Sequence, residues 1–114
     1  MQEKRRLPRK IASELIRIYD INSKQHLGQL VNITVKGFML TSDQPIDVNL
    51  VYQLEMVLTE PRFGTDRVSF GAESLWRSQS NNSSRYWVGF QIIDISVETT
   101  NFIRNMTKAW ETGV

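Results

Sequence analysis

The chain has 114 residues, no cysteine, and a formal net charge of +2 from 14 Lys+Arg and 12 Asp+Glu. A chain of this length suits one domain with one hydrophobic core. The lack of cysteine excludes a disulfide framework, a zinc ribbon and a thiol nucleophile. The small net charge argues against a general binder of long nucleic acid.

The N-terminus is a cluster of positive charge. Residues 4–10 read KRRLPRK, in which five of seven side chains are cationic, and Arg5 and Arg9 stand in an R-x-x-x-R spacing. Pro8 disfavours helix for the residue before it, which predicts a flexible basic arm over residues 1–10. Such an arm could curl around a small anionic ligand. A solvated, charged chain end is the alternative interpretation.

The apolar residues that follow the arm form neither a secretory signal nor a membrane span. Glu14 and Arg17 interrupt them, and no stretch approaches the roughly 20 apolar residues that a spanning helix needs. We therefore expect a cytoplasmic protein. The single histidine, His26, lies in a polar stretch and is expected to be a solvated loop residue. No metal site and no cofactor are predicted.

Alternating apolar residues predict strands through the middle of the chain. The predicted strands lie at about 11–20, 28–34, 38–42, 50–59, 68–76 and 86–93. Three inward faces stand out: Leu50, Tyr52, Leu54, Met56 and Leu58; then Val68, Phe70, Ala72, Ser74 and Trp76; then Val88, Phe90 and Ile92. The connections are short or polar and rich in turn-forming residues. Six strands with no helix between them predict a small antiparallel barrel or sandwich.

Residues 32–37, NITVKG, place polar side chains where one predicted strand ends and the next begins. Asn32 and Thr34 are two residues apart, so in a strand they point to the same face. Gly37 permits a backbone conformation that a β-carbon would forbid, or the close approach of a ligand. We call Asn32, Thr34 and Gly37 the shelf. It predicts a ligand surface, with ordinary hairpin chemistry as the alternative interpretation.

Near the C-terminus the period changes to that of a helix. One apolar stripe joins Phe102, Ile103, Met106, Ala109 and Trp110. Ser96 is a predicted N-cap, Glu98 suits the first turn, and Gly113 follows as a stop. The pattern predicts a helix over about residues 97–112 that plugs one open end of the barrel. Docking of a partner protein is the other interpretation of the stripe.

In chain order, R-x-x-x-R, N-x-T-x-x-G, a closing W…VGFQI strand and a C-terminal helix resemble the PilZ domain family. The resemblance covers nearly the whole chain, as an arm at residues 1–10 and one domain at residues 11–114. It implies a mainly β fold: a six-stranded antiparallel β-barrel of the PilZ-like, split-barrel type with a C-terminal α-helix. It also implies a bacterial receptor for the second messenger cyclic diguanylate (c-di-GMP). Thr34 stands where the family usually has Ser, which keeps the hydroxyl and adds a methyl group.

Transferred residue by residue, the resemblance implies a ligand-binding role for both motifs. Arg5 and Arg9 would grip the phosphates and guanine edges of the ligand from the arm. Asn32 and Thr34 would hydrogen-bond a guanine from the barrel surface, and Gly37 would shape the turn beneath it.

The chemistry of these side chains suits the ligand. A guanidinium pairs bidentately with phosphate or with the O6/N7 edge of guanine, and it stacks on a purine. A carboxamide next to a hydroxyl suits the N–H donors of guanine. Lys4 and Arg6 are possible further contacts, either to a second stacked ligand molecule or through charge alone.

No residue pattern predicts catalysis, since Asp43 and Asp47 form no convincing acid–base pair and His26 has no triad partners. We therefore expect a non-enzymatic binding module. The first hypothesis is a c-di-GMP receptor or adaptor in which the ligand orders the arm and so signals to a downstream protein. The alternative is a PilZ-like protein-interaction module that does not bind the nucleotide.

A third hypothesis is a barrel that binds single-stranded nucleic acid through the arm and stacking aromatic residues. The net charge of +2 makes it the weakest of the three. Trp76 and Trp87 are predicted packing residues, with the stacking of a base as the alternative.

Overall fold

The computed structural model describes residues 10–81 and 84–112, with the backbone alone for residues 111 and 112. Its elements, in chain order, are the strands β1 (Lys10–Ile11), β2 (Ile16–Asp20), β3 (His26–Ile33), β4 (Gly37–Ser42), β5 (Val51–Arg62), β6 (Thr65–Gln79) and β7 (Tyr86–Asp94), and the helix α1 (Val97–Thr112). Within this described part of the chain, no helix has the length and apolar character needed to cross a membrane.

The six longer strands close into an antiparallel barrel. They pair in the order β3–β2–β5–β6–β7–β4, and β4 pairs back onto β3. The short strand β1 lies outside this ring and pairs with the last residues of β3, beyond the stretch that β2 occupies. The predicted six-stranded antiparallel barrel with a C-terminal helix is confirmed.

The first predicted strand, residues 11–20, is interrupted in the middle. Its two ends form β1 and β2, which pair with the same side of β3. Five residues separate the paired positions Ile11 and Arg17, whereas only two residues of β3 separate their partners, Asn32 and Gln29. Glu14 is one of these five residues, and its carboxylate accepts hydrogen bonds from β5 and α1. Tertiary hydrogen bonds therefore break a strand that the alternation predicted to be continuous.

Alternate residues of the barrel strands fill the interior as the sequence pattern predicts. The buried hydrophobic side chains of β5 and β7 are Leu54, Met56, Leu58, Val88, Phe90 and Ile92. Phe38 of β4 stacks on Phe90, with ring centroids 4.8 Å apart. Burial of this apolar surface is the main favourable contribution to folding. Leu50 differs from the prediction, because it precedes β5 and is exposed.

The inward face predicted for β6 ends before Trp76. Phe70, Ala72 and Ser74 are buried, but a bulge between Ser74 and Trp76 adds Leu75 to β6 relative to β7. One extra residue reverses the face on which the following side chains lie. Trp76 therefore lies on the outer face of the barrel, 39% exposed.

Helix α1 begins at the predicted cap and packs against the barrel interior. The Ser96 hydroxyl accepts a hydrogen bond from the N–H of Thr99 at 3.0 Å, and the Ser96 carbonyl accepts one from the N–H of Thr100 at 2.9 Å. The helix residues in the core are Phe102, Ile103 and Met106. The apolar stripe is thus used for packing within the chain.

Candidate functional site

Asn32 lies on the outer face of the barrel, near the end of β3. It pairs with Ile11 of β1 on one side and with Met39 of β4 on the other. A bulge just before it in β3 sets this orientation, so its neighbour Ile33 is the residue that is fully buried. The carboxamide is therefore set in the barrel wall rather than in the core.

The side-chain oxygen of Asn32 is buried, and no described residue donates a hydrogen bond to it. A buried acceptor without a donor costs about 1–3 kcal/mol, and such groups are rare in folded proteins. An incoming N–H or O–H donor would remove this cost. The oxygen is the feature of the outer face that most favours a ligand.

Thr34 organises the turn between β3 and β4. Its Oγ1 accepts hydrogen bonds from the backbone N–H groups of Lys36 at 3.0 Å and Gly37 at 3.3 Å. Its own backbone N–H donates to the Gly37 carbonyl at 2.8 Å. The hairpin chemistry considered as the alternative interpretation is therefore present. Because both side-chain bonds use the oxygen as an acceptor, the hydroxyl hydrogen remains able to donate to a ligand.

Gly37 allows two strands to approach each other closely. A β-carbon at this position would lie 2.6 Å from the carbonyl oxygen of Phe90 on β7. Its φ is outside the left-handed region, in contrast to that of Gly64. Strand packing thus accounts for the glycine without a special backbone conformation. A role for Gly37 in shaping the ligand site stays a prediction.

Four predicted site residues lie outside the described part of the chain: Lys4, Arg5, Arg6 and Arg9. The described chain begins at Lys10, which pairs with Ile33 at the end of β3. The segment that carries R-x-x-x-R therefore joins the barrel next to Asn32.

Trp76 adds an aromatic surface to the same outer face. The strand registers form a row across four strands: Asn32, Met39, Gly89 and Trp76. Neighbouring strands are about 4.8 Å apart, so the row spans roughly 14 Å. The indole of Trp76 lies directly over Gly89, where an added β-carbon would collide with it. The ring thus covers Gly89, the residue that pairs with Met39, and remains partly exposed.

A second row of the outer face carries a cation. Its residues are Gln29, Thr41, Trp87 and Ser78. The Nε of Arg85 donates to Thr41 Oγ1 at 3.1 Å, which holds the guanidinium over this row. Residues two apart in a strand are about 6.7 Å apart, so this charge lies about one row from Asn32.

Sequence reasoning did not place Arg85 in the site, and it considered Trp76 only under the alternative interpretation, in which the ring stacks on a base. Arg85 reaches Thr41 across 44 positions of sequence, and no local pattern indicates such a contact. For Trp76, the alternation of apolar residues predicted an inward-facing side chain, because the bulge between Ser74 and Trp76 cannot be seen in the sequence. The available signal was Gly89, since a glycine within a strand marks the close approach of another group.

The outer face carries the guanidinium of Arg85 beside Thr41 and the unpartnered side-chain oxygen of Asn32. In the described ranges 10–81 and 84–112, no group of His, Asp and Glu residues has an arrangement that could hold a metal ion. The arrangement can bind a planar ligand that donates hydrogen bonds and carries negative charge.

Comparison with known proteins identifies the type of barrel. No family model matches the chain, and no curated protein matches it. The solved structure of the Bacillus subtilis inhibitor of motility, MotI/DgrA, is similar with a TM-score of 0.77 and 9% identity, covering 98% of this chain and 54% of that chain. The structure of Escherichia coli YcgR in complex with c-di-GMP is similar with a TM-score of 0.74 and 13% identity, covering 97% and 47%. The fold is PilZ-like.

The likeness is one of fold. The chain spans about half the length of each of these two structures, and the identities of 9% and 13% are too low to transfer a function. The PilZ-like barrel nevertheless places the predicted shelf and the end of the predicted arm together.

Proposed function

We propose that the outer face of β3, β4, β7 and β6 binds c-di-GMP and that the protein acts as a receptor or adaptor for this second messenger. The observation that carries the proposal is the buried, unpartnered oxygen of Asn32. It lies in one row with an aromatic ring and beside the point where the basic arm joins the barrel. The similarity to YcgR, which was solved in complex with c-di-GMP, supports the choice of ligand.

Each part of this face has a counterpart in the ligand. A guanine donates N–H groups that suit the oxygen of Asn32 and presents a ring that can stack on the Trp76 indole. Stacking of a base on an aromatic side chain is worth about 1–3 kcal/mol. The two phosphates carry negative charge, which Arg85 attracts from the barrel side.

The arm supplies the remaining contacts in this proposal. Arg5 and Arg9 pair bidentately with a phosphate or a guanine edge, each contact being worth about 1–3 kcal/mol. Ordering the arm costs about 1–2 kcal/mol for each residue that becomes fixed. Two arginines alone cannot offset this cost, so the barrel contacts are needed to reach micromolar affinity, about −8 kcal/mol. Lys4 and Arg6 add charge to the same segment.

The proposed output is the surface that the bound arm creates. In this proposal, ligand binding orders the part of the arm that precedes Lys10, since Lys10 already pairs with Ile33 in β1, and a downstream protein recognises the ordered form. The same barrel without nucleotide binding, as a protein-interaction module, is the alternative. We infer a binding module rather than an enzyme, because the face offers recognition groups but no acid–base pair.

Isothermal titration calorimetry with c-di-GMP tests the proposal directly. We expect binding by the wild type, no measurable binding by Arg5→Ala or Arg9→Ala, and weaker binding by Asn32→Ala and Trp76→Ala. Arg104→Ala, which removes an exposed cation from α1, serves as the matched control and should bind like the wild type. Ligand at 100 times its Kd should stabilise the fold by about 2.7 kcal/mol.

The other hypotheses predict different titrations. A protein-interaction module would give no heat and no shift in melting temperature with c-di-GMP. A binder of single-stranded nucleic acid would prefer an oligonucleotide and would lose affinity steeply with salt. Wild-type affinity in both arginine variants would contradict the assignment of the arm.

A further inference from the structure

The turn between β5 and β6 carries an aromatic residue that is poorly suited to it. Phe63 and Gly64 both have positive φ, 53° and 83°, and they form a two-residue hairpin between Arg62 and Thr65. Such turns favour Asn-Gly, and a bulky residue at positive φ is an outlier. Phe63 is also 61% exposed. An exposed phenylalanine thus occupies a turn position whose backbone conformation suits asparagine better.

An open groove lies between this hairpin and helix α1. It has a volume of about 390 Å³, and its walls include Phe63 and Val68 on one side and Phe102 on the other. The Phe63 ring meets Phe102 edge to face, with centroids 5.9 Å apart. The groove therefore has an apolar floor and an exposed aromatic rim. Its helix wall carries polar side chains, among them Glu98, Asn101 and Asn105.

The polar face of α1 that borders the groove is arranged symmetrically. Spacings of three and four residues place Glu98, Asn101, Asn105 and Lys108 on one face of the helix. Glu98 and Lys108 lie five positions before and after Ile103. Asn101 and Asn105 lie two positions before and after it. The chemical order of the face is therefore acid, amide, amide, base.

A second, antiparallel copy of this helix would meet the first with matched groups at these four positions. A two-fold axis at the level of Ile103 places Glu98 opposite Lys108 of the second copy, and Asn101 opposite Asn105 of the second copy. Antiparallel helices also align their dipoles favourably. Neither Glu98 nor Lys108 forms an ion pair with another residue in the described part of the chain.

We propose that the protein forms a two-fold symmetric dimer through α1 and the β5–β6 hairpin. The helix of each copy lies along the groove of the other and covers the exposed Phe63 ring. Contacts of this isologous type occur twice, so each favourable pair counts double. The charge order favours a second copy as the occupant, because an antiparallel α1 places acid opposite base in register. The interface uses none of the residues assigned to the ligand, so the two proposals stand independently.

Sedimentation velocity of the full chain over a concentration series tests the dimer. We expect the wild type to shift from monomer to dimer mass as the concentration rises. Glu98→Lys and Lys108→Glu each replace two attractive pairs with two repulsive ones, which should weaken dimerisation by about tenfold or more. The double variant restores opposite charges across the axis and should recover dimerisation. Asp43→Lys, an exposed charge change in the loop after β4, should leave it unchanged.

Phe63→Asn tests the dimer interface without disrupting the fold of the monomer. Asn-Gly is the favoured pair for this turn, which offsets the loss of the contact between Phe63 and Phe102. The variant should therefore melt close to the temperature of the wild-type monomer, and yet remain monomeric. A wild type that stays monomeric at every concentration would overturn the proposal. So would a dimer that survives Phe63→Asn, or a double charge variant that dimerises no better than the single ones.

Discussion

The carboxylate of Glu14 accepts a 2.7 Å hydrogen bond from the indole N–H of Trp110, across 96 positions of sequence. The same oxygen accepts the Nε–H of Arg62 at 2.7 Å. The Glu14 side chain is 18% exposed and that of Arg62 is 29% exposed, so the pair is partly shielded from water. One carboxylate thus ties the segment between β1 and β2 to β5 and to the end of α1.

Removal of this carboxylate should destabilise the fold. Hydrogen bonds to charged groups contribute about 1.5–3 kcal/mol, and we expect Glu14→Ala to lower the free energy of unfolding by about 2 kcal/mol. Urea denaturation followed by tryptophan fluorescence and by circular dichroism measures the loss. Glu60→Ala, an exposed glutamate on β5, should change stability by less than about 0.5 kcal/mol. Equal effects of the two variants would contradict a structural role for Glu14.

Asn32 should behave oppositely in stability and in binding. Since its oxygen is buried without a donor, Asn32→Leu removes an unsatisfied acceptor and should leave the free energy of unfolding unchanged or raise it by about 1 kcal/mol. The same variant should lose affinity for c-di-GMP. Stability is measured by urea denaturation and affinity by calorimetry.

Thr34→Val provides the contrast to Asn32→Leu. It removes the acceptor of two backbone N–H groups in the β3–β4 turn and should cost about 1 kcal/mol of stability. A loss of stability in Asn32→Leu as large as that in Thr34→Val would show that Asn32 is a structural residue rather than a residue kept for a ligand.

Most of the barrel was predictable from local patterns in the sequence. Alternation in β5 and β7 predicted Leu54, Met56, Val88 and Phe90 as core residues, and all four are buried. The cap at Ser96 was equally visible, because its hydrogen bond spans three residues. Features of this kind depend on neighbours in sequence. They are therefore predictable from one chain.

The candidate site was predictable only in part, because bulges decide which side chains face outward. The extra residue before Trp76 reverses its face, and strand periodicity contains no sign of that insertion. The Glu14–Trp110 contact and the position of Arg85 depend on strands and helices that meet only in the folded barrel. The shelf motif identified Asn32, but its unpartnered oxygen appears only when every neighbour is in place.

Gly89 should be required for the position of the Trp76 indole. In Gly89→Ala, the new β-carbon would collide with the ring, and the indole must leave the barrel wall. We expect a stability loss of about 1 kcal/mol, a shift of tryptophan fluorescence towards longer wavelength, and weaker binding of c-di-GMP. Urea denaturation, emission spectra and calorimetry report these three effects.

A double-mutant cycle isolates the contact between these two residues. Trp76→Ala removes the ring that the β-carbon would meet, so adding Gly89→Ala to it should cost little further stability. The coupling between the two changes should be about 0.5–1 kcal/mol. Strict additivity would place the cause of the Gly89→Ala effect elsewhere.

Tyr52 should make stability fall at alkaline pH. Burial raises the pKa of its hydroxyl above the ordinary value of 10.0, and the negative charges of Asp47 and Asp20 raise the pKa further. The hydroxyl also donates to the carbonyl oxygen of Asp47 at 2.9 Å. Because the folded state holds this proton more tightly than the unfolded state, the contribution is complete below about pH 10 and is lost as the pH rises through the folded-state pKa.

Comparison with Tyr52→Phe isolates this contribution from the other titrating groups. Near neutral pH the variant should be less stable by about 0.5–1.5 kcal/mol, since it lacks the hydrogen bond, and the difference should shrink as the pH rises above about 10. Urea denaturation at a series of pH values gives the two curves. Asp47→Asn keeps the carbonyl but removes a negative charge, so it should lower the pKa of Tyr52 and move the fall in stability to lower pH. A stability difference between wild type and Tyr52→Phe that does not change with pH would contradict the raised pKa.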